Sequence, residues 1–205
     1  MNPRFAGMKK VPAEPAARLL AQANARLRTP LATPASAGVA EVLTALDSAG
    51  AHVDMLRLMS VALPPRERVW WGCLAARDLL GPAPATLPAP LLAAEAWVRQ
   101  PGEDTRAAAQ AALDLADLDD DTTLCAKAAI YGDGTLGPGP LARFAAPPGG
   151  AQAAVFGLNI MAIGKRGTDF ATDFATEATR LMDRALDIAR GGNGRTTDPN
   201  PETRP

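Results

Sequence analysis

The side chains able to do chemistry are few and scattered. His52 is the only histidine, Asp54 follows two residues on, and Cys73 and Cys125 are the only cysteines. A zinc site needs ligands at short, recurring intervals, and these intervals match no such pattern. His52 therefore reads as a capping or surface residue, and the two thiols as buried, reduced groups inside helices. Gly132-Asp-Gly-Thr-Leu-Gly137 matches G-x-G-x-x-G letter for letter. A dinucleotide fingerprint must follow a strand and open a helix, whereas this one follows a predicted helix and runs into Pro138-Gly-Pro140, so it reads as a connecting loop.

Gly164-Lys-Arg-Gly-Thr168 lacks both the upstream glycine and the Ser or Thr after lysine that a phosphate loop requires, which leaves a positive turn. Asp117, Asp119 and Asp121 have calcium-loop spacing without the glycine near Thr122 or the glutamate near Ala128. Acid/base or covalent catalysis would have to rest on dispersed carboxylates and arginines. The expectation is a chain with no catalytic, metal or cofactor site and no cofactor.

The elements are helical. Apolar residues at 3/4 spacing, punctuated by proline and glycine, divide the chain into about nine helices, with no strand alternation. The first spans about Pro12 to Leu27. Ser36 is placed to cap the second, ended by Gly50, and the third presents Val53, Leu56, Met59 and Leu63. Pro64 and Pro65 open a fourth that is apolar on nearly every side from Val69 to Ala76. Gly81 to Pro90 reads as a stiff connector, then a short helix runs from Leu91 to Arg99. A sixth helix extends from Glu103 to about Leu118, and a seventh starts at Asp121 as N-cap. The Gly132–Gly150 segment separates these from two final helices, the last carrying Phe170, Phe174, Leu181 and Ile188 on one face. Its opposite face, with Asp173, Glu177, Arg180, Arg184 and Asp187, is expected in water or against a partner.

Composition supports this. The chain has 205 residues, of which 44 are Ala against 8 Val and 4 Ile, and alanine favours closely packed helices over a sheet. Its 21 basic and 22 acidic residues give net −1 without a basic stripe, so no nucleic-acid partner is expected. No run is long and apolar enough for a transmembrane segment, and residues 1–10 lack the apolar region of a secretory signal, so a cytoplasmic location is expected. The fold class read from the sequence is all-α, a single compact multi-helix bundle: a flexible N-terminus over 1–11, a helical domain over 12–190 and a disordered tail over 191–205 whose removal from Gly192 leaves stability unchanged.

The order Val69-Trp-Trp-Gly-Cys-Leu-Ala-Ala-Arg77, Ala93-Ala-Glu-Ala-Trp-Val-Arg-Gln-Pro101, Arg106-Ala-Ala-Ala-Gln-Ala-Ala112 and the Gly-Asp-Gly-Thr-Leu-Gly-Pro loop resembles an uncharacterised bacterial all-helical family, a domain of unknown function with W-W-x-C and W-V-x-x-P signatures. The likeness covers about residues 36 to 190. In that family the loop is usually of a Gly-Gly-Ser-Leu-x-Pro type, from which Asp133 and Gly137 depart. The resemblance implies a helical fold and no known activity, and its members look to be encoded near type VI-like secretion components.

The residues singled out as structural or interaction sites are Trp70, Trp71, Arg77, Trp97, Arg99, Arg106, Phe170 and Phe174. Large aromatics should dominate a thin core, and at least one of the three arginines should be partly buried against Asp78, Glu95 or Glu103. The leading functional expectation is a non-enzymatic interaction or adaptor protein with a protein partner, accessory to a bacterial type VI-like secretion system. Its rival is a small-molecule-binding protein or enzyme whose inter-helical pocket gathers Arg77, Asp78 and Arg99.

Overall fold

The computed structural model describes residues 2–82, 84–166 and 170–195, excepting the side chains of 166 and 170–172. It is all-α: nine helices among the described residues form a compact bundle. They are α1 (Ala16–Gln22), α2 (Val39–Ser48), α3 (His52–Ala62), α4 (Pro65–Leu80), α5 (Ala89–Arg99), α6 (Glu103–Asp114), α7 (Thr123–Ile130), α8 (Gly150–Arg166) and α9 (Phe170–Arg190). The strand-like pairing described is an isolated bridge between Thr135 and Ala145. Among the described residues no helix is long and apolar enough to cross a membrane.

Helix α4 occupies the middle, packed on α5, α7, α8 and α9. Its proline start and the acid Glu67 suit a helix N-terminus, and Gly81, at φ 84, stops it where a left-handed residue is needed. Trp71 and Cys73 are wholly buried on it, and the Trp71 indole N–H donates to the Leu181 carbonyl of α9 at 3.2 Å. Gly72 lies between them. A Cβ there would stand 3.0 Å from a Val155 methyl, so α4 and α8 approach as closely as side-chain volume allows. Trp97 of α5 is likewise buried, and its ring lies where a side chain on residue 132 would have to be, 2.5 Å from an added Cβ.

Helix ends account for most differences from the sequence reading. Helix α1 covers seven residues rather than Pro12 to Leu27, because Asn24 adopts φ 47 and the Ala25 and Asn24 amides return to the Leu20 and Ala21 carbonyls. Gly38, without a side-chain bond, starts α2 instead of Ser36. Val53 is exposed rather than facing the core. Helix α6 stops at Asp114, short of Leu118, where the acids that follow oppose the negative end of the helix dipole. Asp120, not Asp121, organises the start of α7: its carboxylate accepts from the Thr122 amide at 2.8 Å and hydroxyl at 2.7 Å.

The two outer segments are also placed. Phe5 is buried, Arg4 pairs with Asp47 of α2 and Asp183 of α9, and the Lys10 amide donates to the Ala189 carbonyl. Residues 191–195 fold back on the bundle. The Asn193 carbonyl accepts from the Trp70 indole at 2.7 Å, and the amide of buried Gly194 donates to Asp187 at 2.8 Å. The remainder of the expected tail, 196–205, lies outside the described residues.

Two outcomes follow. Trp97→Ala should lower stability by about 3–5 kcal/mol in urea unfolding, the usual cost of emptying a large buried aromatic site. Deleting residues 192–205 should cost about 1–3 kcal/mol through the three lost hydrogen bonds that join Gly192 and Gly194 to Asp187 and Asn193 to Trp70, whereas truncation after Arg195 retains all three and should stay within about 0.5 kcal/mol of the full chain.

Candidate functional site

A cleft of about 330 Å³ between the start of α4, the end of α5 and the 192–195 segment is lined by four cationic side chains, Lys10, Arg66, Arg99 and Arg195. Trp70 is half-buried on its wall, and the Arg195 guanidinium lies 5.5 Å from its ring centroid. That is a cation–π distance. Arg66 donates through Nε to the Val98 carbonyl at 2.6 Å, and Lys10 Nζ pairs with Glu67 at 2.6 Å. Arg99, with a side chain 68% exposed, reaches Glu95 only at 3.9 Å.

Glu95 belongs to a different partner. Arg77 grips it with two bonds, 2.6 and 2.9 Å, across the α4–α5 contact, a bidentate geometry that fixes both side chains. Burial tends to raise the Asp78 pKa, but hydrogen bonds and charge from Arg184, at 2.7 Å, and Arg180, at 2.9 Å, outweigh it and hold the carboxyl below its ordinary range. Arg77 and Asp78 border a second cleft, of about 530 Å³, against the Pro82–Leu87 connector and Lys165. Arg77, Asp78 and Arg99 therefore do not converge on one pocket, and Arg77 and Asp78 are already paired. The same bonds correct the reading of α9: Arg180 and buried Arg184 turn toward α4 instead of standing in water.

Arg106 organises the glycine loop. Nearly inaccessible on α6, it donates to the Ile130 carbonyl at 3.0 Å, to Asp133 and to the Thr135 hydroxyl at 2.7 Å. Asp133 in turn accepts from the Thr135 amide at 2.9 Å, while the Leu136 and Ala146 amides bond across the loop to Phe144 and Gly134. Amides that a nucleotide phosphate would need are thus engaged within the protein, and the motif is a clamped connector.

The remaining candidates belong to the packing. Trp71 and Trp97 are buried, and Phe174 is half-buried against the core; the Phe170 side chain lies outside the described residues. Both cysteines are buried and unbridged. A hydrogen bond with Cys73, then burial, pushes the Cys125 thiol well up, which opposes the thiolate a nucleophile requires. Among the described residues no group of three His, Cys, Asp or Glu side chains could hold a metal ion.

One feature went unread in the sequence. Leu115 and Leu118 are 88% and 108% exposed in the loop between α6 and α7, flanked by exposed Asp114, Asp117, Asp119 and Asp121. Extending the helical periodicity to Leu118 concealed them; the run of aspartates at a helix C-terminus was the available signal.

Residues 42–189 match the model of a family described as "Family of unknown function (DUF6931)". No curated protein and no solved structure matches the chain.

The depressed Asp78 pKa has a defined sign. Its contribution is present above the ordinary carboxylate range, near about 4, and is lost as pH falls through the folded-state value. Acid unfolding monitored by circular dichroism should therefore be steeper for the parent than for Asp78→Asn, with the latter less stable at neutral pH.

Proposed function

We propose that this chain, which belongs to the DUF6931 family of unknown function, is a non-enzymatic docking protein that presents the α6–α7 loop to a protein partner. The observation that carries the reading is the full exposure of Leu115 and Leu118 on an otherwise acidic loop. Apolar side chains held in water within a charged frame favour burial at an interface, where the leucines supply contact and the aspartates supply orientation and selectivity. The interior supports the same reading. Arg77 and Glu95 engage each other, Asp78 engages Arg180 and Arg184, and Arg106 engages the glycine loop, as in a scaffold. The family resemblance adds a setting, an accessory or adaptor role in a bacterial secretion or assembly system of type VI-like kind, in the cytoplasm.

A second reading, small-molecule binding in the Trp70 cleft, draws on the exposed Arg99 beside an aromatic wall. The two separate experimentally. A photocrosslinking residue at position 119 in the native host should yield adducts with a restricted set of proteins, and Leu115→Ser/Leu118→Ser should abolish them while changing stability by no more than about 0.5 kcal/mol. Absence of any protein adduct would overturn the docking reading; small-molecule affinity abolished by Arg99→Ala alone would favour the second.

A further inference from the structure

We infer that the partner of the leucine loop is a second copy of this chain, whose Trp70 cleft receives Leu115 and Leu118; this rests on the docking reading above. Charge selects the arrangement. Loop against loop would oppose the exposed Asp114, Asp117, Asp119 and Asp121 of both copies, so a two-fold contact through this surface is disfavoured. The cleft has the opposite character. Lys10, Arg66, Arg99 and Arg195 line it against two carboxylates, of which Glu67 is held by Lys10 and Glu95 by Arg77.

The donors are present as well. Among the described residues Arg99 makes no hydrogen bond shorter than its 3.9 Å approach to Glu95, and Arg66 commits only Nε, to the Val98 carbonyl. Two guanidinium groups can therefore meet incoming aspartates at the cost of no more than the loose 3.9 Å approach of Arg99 to Glu95. Trp70 supplies an aromatic wall for the leucines, and a volume of about 330 Å³ leaves room for one or two side chains.

Position makes the contact intermolecular. Arg99 ends α5 just before α6 begins, whereas the loop leaves the far end of α6, about 18 Å away for 12 residues at the usual rise. Donor and acceptor surfaces at opposite ends give a head-to-tail contact, which builds open chains or rings rather than closed dimers. So small a loop buries less than a stable interface requires, and the association is weak and salt-sensitive.

Sedimentation velocity from about 10 µM to about 1 mM tests this, a range that suits weak contacts. At low salt the sedimentation coefficient of the parent should rise with concentration and fall back in high salt. Asp117→Lys/Asp119→Lys blocks the loop, and Arg66→Glu/Arg99→Glu blocks the cleft. Each should stay monomeric alone, and their mixture should form a complex that stops at two copies. Should the cleft variant lose its thermal transition, Arg99→Gln takes its place and should weaken association several-fold. A parent that stays monomeric throughout, or a mixture that forms no complex, overturns the inference. Adducts from position 119 to other proteins would then leave the docking reading standing, whereas no adducts at all would remove both.

Discussion

The approach of α4 to α8 at Gly72 is the constraint on which the bundle depends. An alanine-rich chain has little volume with which to fill space, so its helices gain dispersion only by coming close. Gly72 removes the one Cβ that would hold α4 away from Val155, and the large Trp71 beside it is then spent on α9 instead. Small residue toward one neighbour and large residue toward another lets a single helix serve four contacts. Trp97 over Gly132 repeats the device between α5 and the loop after α7.

Buried arginines complete what the thin core leaves open. Arg68 is the plainest case: with no carboxylate partner among the described residues, it donates to the carbonyls of Ser60, Val61 and Leu63 and so satisfies the C-terminal end of α3 from the first turns of α4. Burial lowers its pKa to about 10, still far above neutrality, and the helix dipole offers the cation partial compensation. Arg106 does the same for the glycine loop, and half-buried Arg77 ties α4 to α5 through the Glu95 carboxylate. Each guanidinium spans two elements with several directed bonds, a geometry that lysine would not reproduce.

Legibility followed the physics of each signal. Period and proline punctuation located α4 within a residue because Pro64-Pro65 and Gly81 bracket it, and a strongly periodic pattern identified α9. The end of α1 was harder: Asn24 can adopt the left-handed conformation that closes a helix, but asparagine does so less regularly than glycine, as Gly50 does after α2. Partnerships such as Arg106 with Asp133 or Asp78 with Arg184 join positions 27 and 106 residues apart and leave no local trace. The exposed leucines were hidden for the converse reason, since apolar spacing alone does not distinguish a residue that is buried from one held out for a partner.

The meeting of residues 4–10 with 183–190 gives the described chain an almost circular course. Arg190 donates to the Arg4 and Ala6 carbonyls and Arg4 to Asp183, contacts that close a loop of roughly 180 residues. Closing so long a loop carries an entropic cost on the order of 4–5 kcal/mol, which argues for seating this seam after the local helical pairs have formed. Opening there first, the molecule would lose its outer girdle while α4 and its neighbours stay packed, so breathing at the seam and unfolding of the core become separable events.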